Sequence, residues 1–269
     1  MLSKLIRHEF RATVRIMLPL YLLMALTAAL FNLFMHLADR YNVLALQIFR
    51  GISTFTFVVT LFGSGVVTLC LMVFRFYKNY MTDEGYLMFT LPVTTARLIW
   101  SKLIVALVWG AATVLAMILS VILGTVGQGF WRDAVPALNQ FINGLRAAVS
   151  TGNLIAYALE LVVLAILSGL SSYLMFYAAI ALGHSMANHK VLFSVLFYIA
   201  FNVALQTITS FLSIFGIVGA DRMDVFATEP DIFALLHQFS LGSILYNLLV
   251  GTAFYLITYF TLKKRLNLQ

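Results

Sequence analysis

Apolar residues run through this chain in six long blocks broken by short polar segments, and the block length decides the fold class. The blocks cover residues 16–37, 52–74, 98–121, 154–182, 191–220 and 241–262. Each is near or above the ~20 residues that carry a helix across ~30 Å of hydrocarbon. The pattern predicts an all-α membrane protein with six transmembrane helices. The fourth and fifth blocks are long for one crossing and are expected to tilt or protrude.

The polar segments predict smaller elements. Residues 1–15, "MLSKLIRHEFRATVR", place Lys4, Arg7, His8, Arg11 and Arg15 on one helical face, with Leu2, Leu5, Ile6 and Phe10 mostly opposite. That pattern suits an N-terminal amphipathic helix at the membrane surface, or equally a basic stop at the membrane boundary. The apolar run that follows is longer than a signal-peptide core and ends without a small-x-small cleavage site, so the helix is expected to stay. In "FWRDAVPALNQFINGLRAAVS", Val135, Leu138, Phe141, Ile142, Leu145 and Val149 fall at helical spacing, as in an interfacial helix.

Composition sharpens this. The chain is 62% hydrophobic and 10% charged over 269 residues, with a mean hydropathy of +0.98, beyond the range of soluble domains. No repeat or soluble domain interrupts it, so residues 1–269 read as a single transmembrane domain. Cys70, the one cysteine, lies in the second block, so no disulfide forms within the chain. A net charge of +7 would suit nucleic acid only on the basic face of a soluble domain. Here the cations sit at block ends and report orientation. Twelve of the 17 Lys and Arg residues share one side: Lys4, Arg7, Arg11, Arg15, Arg75, Lys78, Arg97, Lys102, Lys190, Lys263, Lys264 and Arg265. By the positive-inside rule that side is cytoplasmic, with both termini inside.

This topology puts residues 75–97 in the cytoplasm. Arg75 and Lys78 end the second block, and Thr82 is positioned to cap a new helix with Asp83 and Glu84 in its first turn, facing the positive end of the dipole. Pro92 stops it, since the residue before proline leaves helical geometry, and Thr94 or Thr95 restarts the chain toward the third block. The result is a short helix rich in acid, aromatic and glycine residues. It suits docking to another protein, or alternatively a resting place among lipid headgroups.

The stretch "DEGYLMFTLPVTTARLIWSKL" resembles the cytoplasmic loop of permease subunits of type-two ATP-binding-cassette exporters, most of all the compact Gram-positive bacterial kind. Glu84, Gly85, Leu91, Pro92, Val93 and Thr94 match the Glu, Gly and Leu-Pro-Val-Ser/Thr pattern, followed by the basic Arg97 and Lys102. Glu and Gly are adjacent here, whereas many members separate them, so the coupling role falls to Asp83 or Glu84. The resemblance implies a multi-pass protein of the bacterial plasma membrane that moves substrate outward. Its coupling helix, with Thr82, Asp83, Glu84, Gly85 and Tyr86, would dock into a separate ATPase subunit. ATP and Mg would be bound by that partner. The resemblance also implies a second permease subunit, identical or different. The chain itself has no G-x-x-x-x-G-K-[ST].

Few residues inside the blocks carry chemistry. Glu160 is the one acid well inside a block, and a carboxylate there faces a bundle interior or a polar cavity. It lines a transport path or the interface between permeases, or it is hydrogen-bonded to a neighbouring helix. His184 and His189 fall in a short turn without a third ligand and read as polar loop residues. Ser64 is a candidate nucleophile for an intramembrane protease, but no His lies deep in a later block. No catalytic, metal or cofactor residue is assigned. An intramembrane enzyme and a non-transporting scaffold are the alternative classes.

Overall fold

The computed structural model describes residues 2–82, 85, 88, 90, 93–148, 151–186, 188–222 and 232–264. All the regular structure among them is helical. The elements are α1 (Leu2–Tyr41), α2 (Leu44–Met81), α3 (Thr95–Thr125), α4 (Phe130–Ala148), α5 (Thr151–His184), α6 (Lys190–Arg222) and α7 (Ile232–Lys264). Six of them, all but α4, are long and apolar enough to cross a membrane. The chain is therefore a multi-pass α-helical membrane protein. The helices overrun the predicted blocks, because a polar helical turn continues readily past the hydrocarbon edge. At 1.5 Å per residue, the 40 residues of α1 reach ~60 Å, about twice the hydrocarbon thickness. The amphipathic N-terminal segment is thus one continuous rod with the first span.

The chain divides into two compact units: Met1–Phe74 with Trp100–Ala148, and Arg75–Ile99 with Val149–Gln269. In the first unit, α1 and α3 run in the same direction and α2 runs against them. Contacts recur in that order, from the Glu9 and Lys102 pair through Thr13 with Trp109 and Tyr21 with Thr113 to Asn32 with Gly124. Asn42, in the left-handed region at φ 42°, makes the tight link from α1 to α2 that Asn tolerates. At the far end of α3 the helix leaves carbonyls without intrahelical donors. The Asn32 amide meets two of them, at Leu123 (3.3 Å) and Gly124 (3.0 Å), and the Val126 carbonyl just beyond at 2.7 Å. The Gly-rich turn that follows is a helix terminus, with Gly127 at φ 77° against His36. A helix is present over this stretch as α4, and its Val135, Leu138 and Phe141 are exposed.

In the second unit, α5 and α6 are antiparallel and α5 and α7 parallel. The small residues of α5 permit this. Ser171 donates to the Asn247 carbonyl at 2.8 Å, with Gly251 directly against its hydroxyl. Phe176 stacks on Tyr198 at 4.4 Å. The closest approach is Gly183 on Ser194, where an added Cβ would lie 2.4 Å from the Ser194 backbone nitrogen. Backbone cannot yield as a side chain does, so Gly183→Ala should force α5 and α6 apart. Thermal unfolding of the purified variant is expected to show a loss on the order of 1–3 kcal/mol, the usual range for overpacking.

Candidate functional site

Three constellations of polar residues stand out against the apolar surroundings. The first is the stem of the segment between α2 and α3. Asp83, Glu84 and Tyr86 lie outside the described residues, whereas Gly85, Met88 and Thr90 have helical backbone. Thr82 differs from the expected cap. Its hydroxyl reaches back to the Lys78 carbonyl at 2.5 Å, and its own carbonyl accepts the Gly85 N–H at 2.7 Å. The residue thus closes α2 with a turn, because a hydroxyl on a helix finds the carbonyl four residues back with no loss of backbone order. Thr94 behaves as expected and starts α3, accepting from Arg97 at 2.9 Å.

The α2 flank of the segment is fixed to the C-terminal half of the chain. Phe76 stacks face to face on Tyr177 of α5, with ring centroids 3.9 Å apart and planes within 6°, and neither ring is exposed. Tyr80 packs edge-on against Phe76 and donates to the Leu98 carbonyl at 3.0 Å, tying the end of α2 to the start of α3. Tyr77 meets His184 edge-on at 5.3 Å. His184 is the last residue of α5 and is buried, so it is a packed helix-end histidine and not a loop residue. Each such aromatic pair contributes roughly 0.5–1.5 kcal/mol beyond its buried area, and here they act on one short stem.

The second constellation is a buried charge pair that sequence reading missed. Lys102 Nζ lies 2.5 Å from Glu9 Oε1, and both side chains are only 4% exposed. One helical turn on, Trp109 Nε1 donates to the Thr13 hydroxyl at 2.7 Å. Further along, Tyr21, Thr68 and Thr113 join their hydroxyls at 3.0 Å. A ladder of polar contacts therefore fastens the N-terminal helix to α3. Glu9 is the single acid on a strongly basic segment, and that oddity was the available signal.

The third lies in the membrane-spanning helices of the second unit. Glu160 of α5 is held by α7: His237 Nδ1 is 2.6 Å from one carboxylate oxygen, and the Ser240 hydroxyl donates to the other. Ser, His and Glu are thus together, but in an order unsuited to nucleophilic attack. The carboxylate, not the imidazole, receives the serine hydrogen, whereas a triad needs the imidazole there. Ser64 likewise spends its hydroxyl on the Leu61 carbonyl at 2.7 Å. Among the described residues no group of three metal-ligating side chains occurs.

On α6, Asn202, Gln206, Thr209 and Ser213 are all exposed. At 3.6 residues per turn they form one line ~17 Å long. The hydroxyls of Thr209 and Ser213 return to carbonyls of their own helix at 2.8 Å. Asn202 gives its N–H to Tyr198 at 2.8 Å, which leaves its amide oxygen open. The Gln206 carboxamide makes no hydrogen bond among the described residues. A bare amide in hydrocarbon costs several kcal/mol, so this face of α6 requires water or another polar surface. Hydropathy averaging hid it, since the surrounding apolar residues dominate any window.

The ladder in the first unit generates a prediction. Lys102→Met removes the buried cation beside the Glu9 carboxylate and should lower unfolding stability by roughly 3–5 kcal/mol. Adding Glu9→Leu should recover most of that loss, as read by thermal unfolding of the single and double variants.

Comparison with protein-family models, with curated proteins and with solved structures finds no match, so what the chain does is argued from its own residues.

Proposed function

We propose that this chain is the membrane-spanning subunit of an ATP-binding-cassette exporter in a bacterial plasma membrane, with both termini in the cytoplasm. A separate ATPase subunit binds ATP and Mg and grips the segment around Thr82, Asp83, Glu84, Gly85 and Tyr86. A second permease subunit completes the pathway. The observation that carries this reading is the stem. Phe76 and Tyr80 seat the segment on Tyr177 of α5, so a force on the segment is delivered to the helix that packs α6 and α7. A loop whose only role is to connect two spans has no need of a buried aromatic seat.

The polar line on α6 supports the transport part of the reading. A polar or amphipathic cargo crossing the bilayer needs a wall of hydrogen-bonding groups, and Asn202 and Gln206 offer donors and acceptors without a fixed charge. In the mechanism, ATP closes the partner subunits around the segment, the stem transmits the displacement to α5, and α6 moves with it. This alternates the side on which the polar wall is open. No step of bond chemistry falls on this chain.

Two sets of variants test the assignment. Glu84→Ala and Gly85→Pro are expected to reduce copurification of the proposed ATPase partner, or to abolish the stimulation of its hydrolysis. Normal association and pumping by both variants would contradict the docking role. Tyr177→Ala leaves the gripping residues intact, so it should retain the ATPase while lowering hydrolysis-driven transport severalfold.

A further inference from the structure

A groove of about 970 Å³ opens where α5 ends and α6 begins, beside the last turn of α2. It is at the upper end of the ~300–1,000 Å³ that small-molecule sites occupy. Its composition is split. One end is polar, with Tyr77, His184, Asn188 and Lys190; the other is an apolar wall of α6 that includes Val191, Val195 and Leu196. None of the described lining residues is acidic. We propose that this groove is a binding site for a single anionic phospholipid with a hydroxyl-bearing headgroup.

Position comes first. The polar end coincides with the termini of two candidate spans, Asn153–His184 and Lys190–Ile214, which is headgroup depth. From there the wall continues along α6 toward the bilayer interior, with Val191 61% and Val195 53% exposed. A ligand that fills the groove therefore has a polar head and a hydrocarbon tail in that order.

Charge selects the head. The first intrahelical bond of α6 runs from Phe193 N–H to the His189 carbonyl at 3.0 Å. The amides of Val191 and Leu192 precede it and carry the positive end of the helix dipole. Lys190 adds a full cation. A phosphodiester is the complementary group.

His184 supplies the second, independent indication. Its side chain is buried, with 5% of the residue exposed. Nδ1 lies 3.0 Å from the Ile180 carbonyl, which can only accept, so Nδ1 bears the hydrogen. Nε2 makes no hydrogen bond among the described residues, and the His184 side chain belongs to the groove lining. In the neutral ring this nitrogen is an acceptor, matching a headgroup hydroxyl. Asn188, exposed and without a side-chain hydrogen bond among the described residues, offers both donor and acceptor beside it.

The test is lipid retention by the full chain, purified in detergent after equilibration with mixed vesicles of phosphatidylglycerol and phosphatidylcholine and read by mass spectrometry. The expected result is preferential retention of phosphatidylglycerol that excess inorganic phosphate does not displace. Lys190→Gln should lower that retention about fivefold, as for one cation near an anionic surface, and Asn188→Leu should lower it in the same direction. Lys263→Gln removes an exposed cation at the end of another span and outside the groove, so it should leave retention unchanged. Equal retention of phosphatidylcholine would overturn the proposal. So would an equal loss in the Lys190 and Lys263 variants, or displacement by phosphate alone.

Discussion

A bilayer offers no hydrogen-bond partner, and many of the described polar side chains along the spans are arranged in answer to that fact. Hydroxyls along the spans bend back to carbonyls of their own helices, as at Thr56, Thr60, Thr207 and Thr252. Asn32 covers the end of α3, and the carboxylate of Glu160 is covered by α7. Glu9 and Lys102, which would each be costly alone, neutralise one another. Against this background the open amides of Asn202 and Gln206 are exceptions, and exceptions to so strong a constraint point to function.

The same constraint divides the labour along each helix. In mid-span the driving force is close packing of small groups, as where Ser171 meets Gly251 and Asn247. At the span ends, water and headgroups are near, and aromatic and charged residues take over. The stem of the segment between α2 and α3 belongs to this second regime. Its Phe76 ring is buried against Tyr177 of α5, and Tyr80 is buried behind it.

Much of this was legible in the sequence because span length is a physical threshold. Six apolar blocks gave six helices, the amphipathic spacing of residues 1–15 ended in one continuous helix with the first span, and the periodic Val135, Leu138 and Phe141 lay on a helix. For Glu160 the sequence offers a transport path, a permease interface or a hydrogen bond to a neighbouring helix; the contacts it makes are with α7, whose residues lie far along the chain and carry no local signal. Glu9 was passed over because its neighbours are basic, and only folding brings Lys102 to it. The α6 line needs the 3.6-residue period to be read for polar residues inside an apolar block, the reverse of the usual search. Thr82 shows the limit of capping rules, since the same hydroxyl serves the preceding helix as readily as the following one.

The transport part of the account turns on whether the polar face of α6 meets water, and cysteine accessibility in reconstituted vesicles measures that directly. In a Cys70→Ser background, which removes the one native thiol, single cysteines replace Asn202, Gln206 and Ser213. Others replace Ile208 and Phe211, which are exposed on other faces of the helix. A membrane-impermeant maleimide is predicted to label the first three positions severalfold faster than the last two. Equal labelling at all five, or none at any, would contradict an aqueous path along α6.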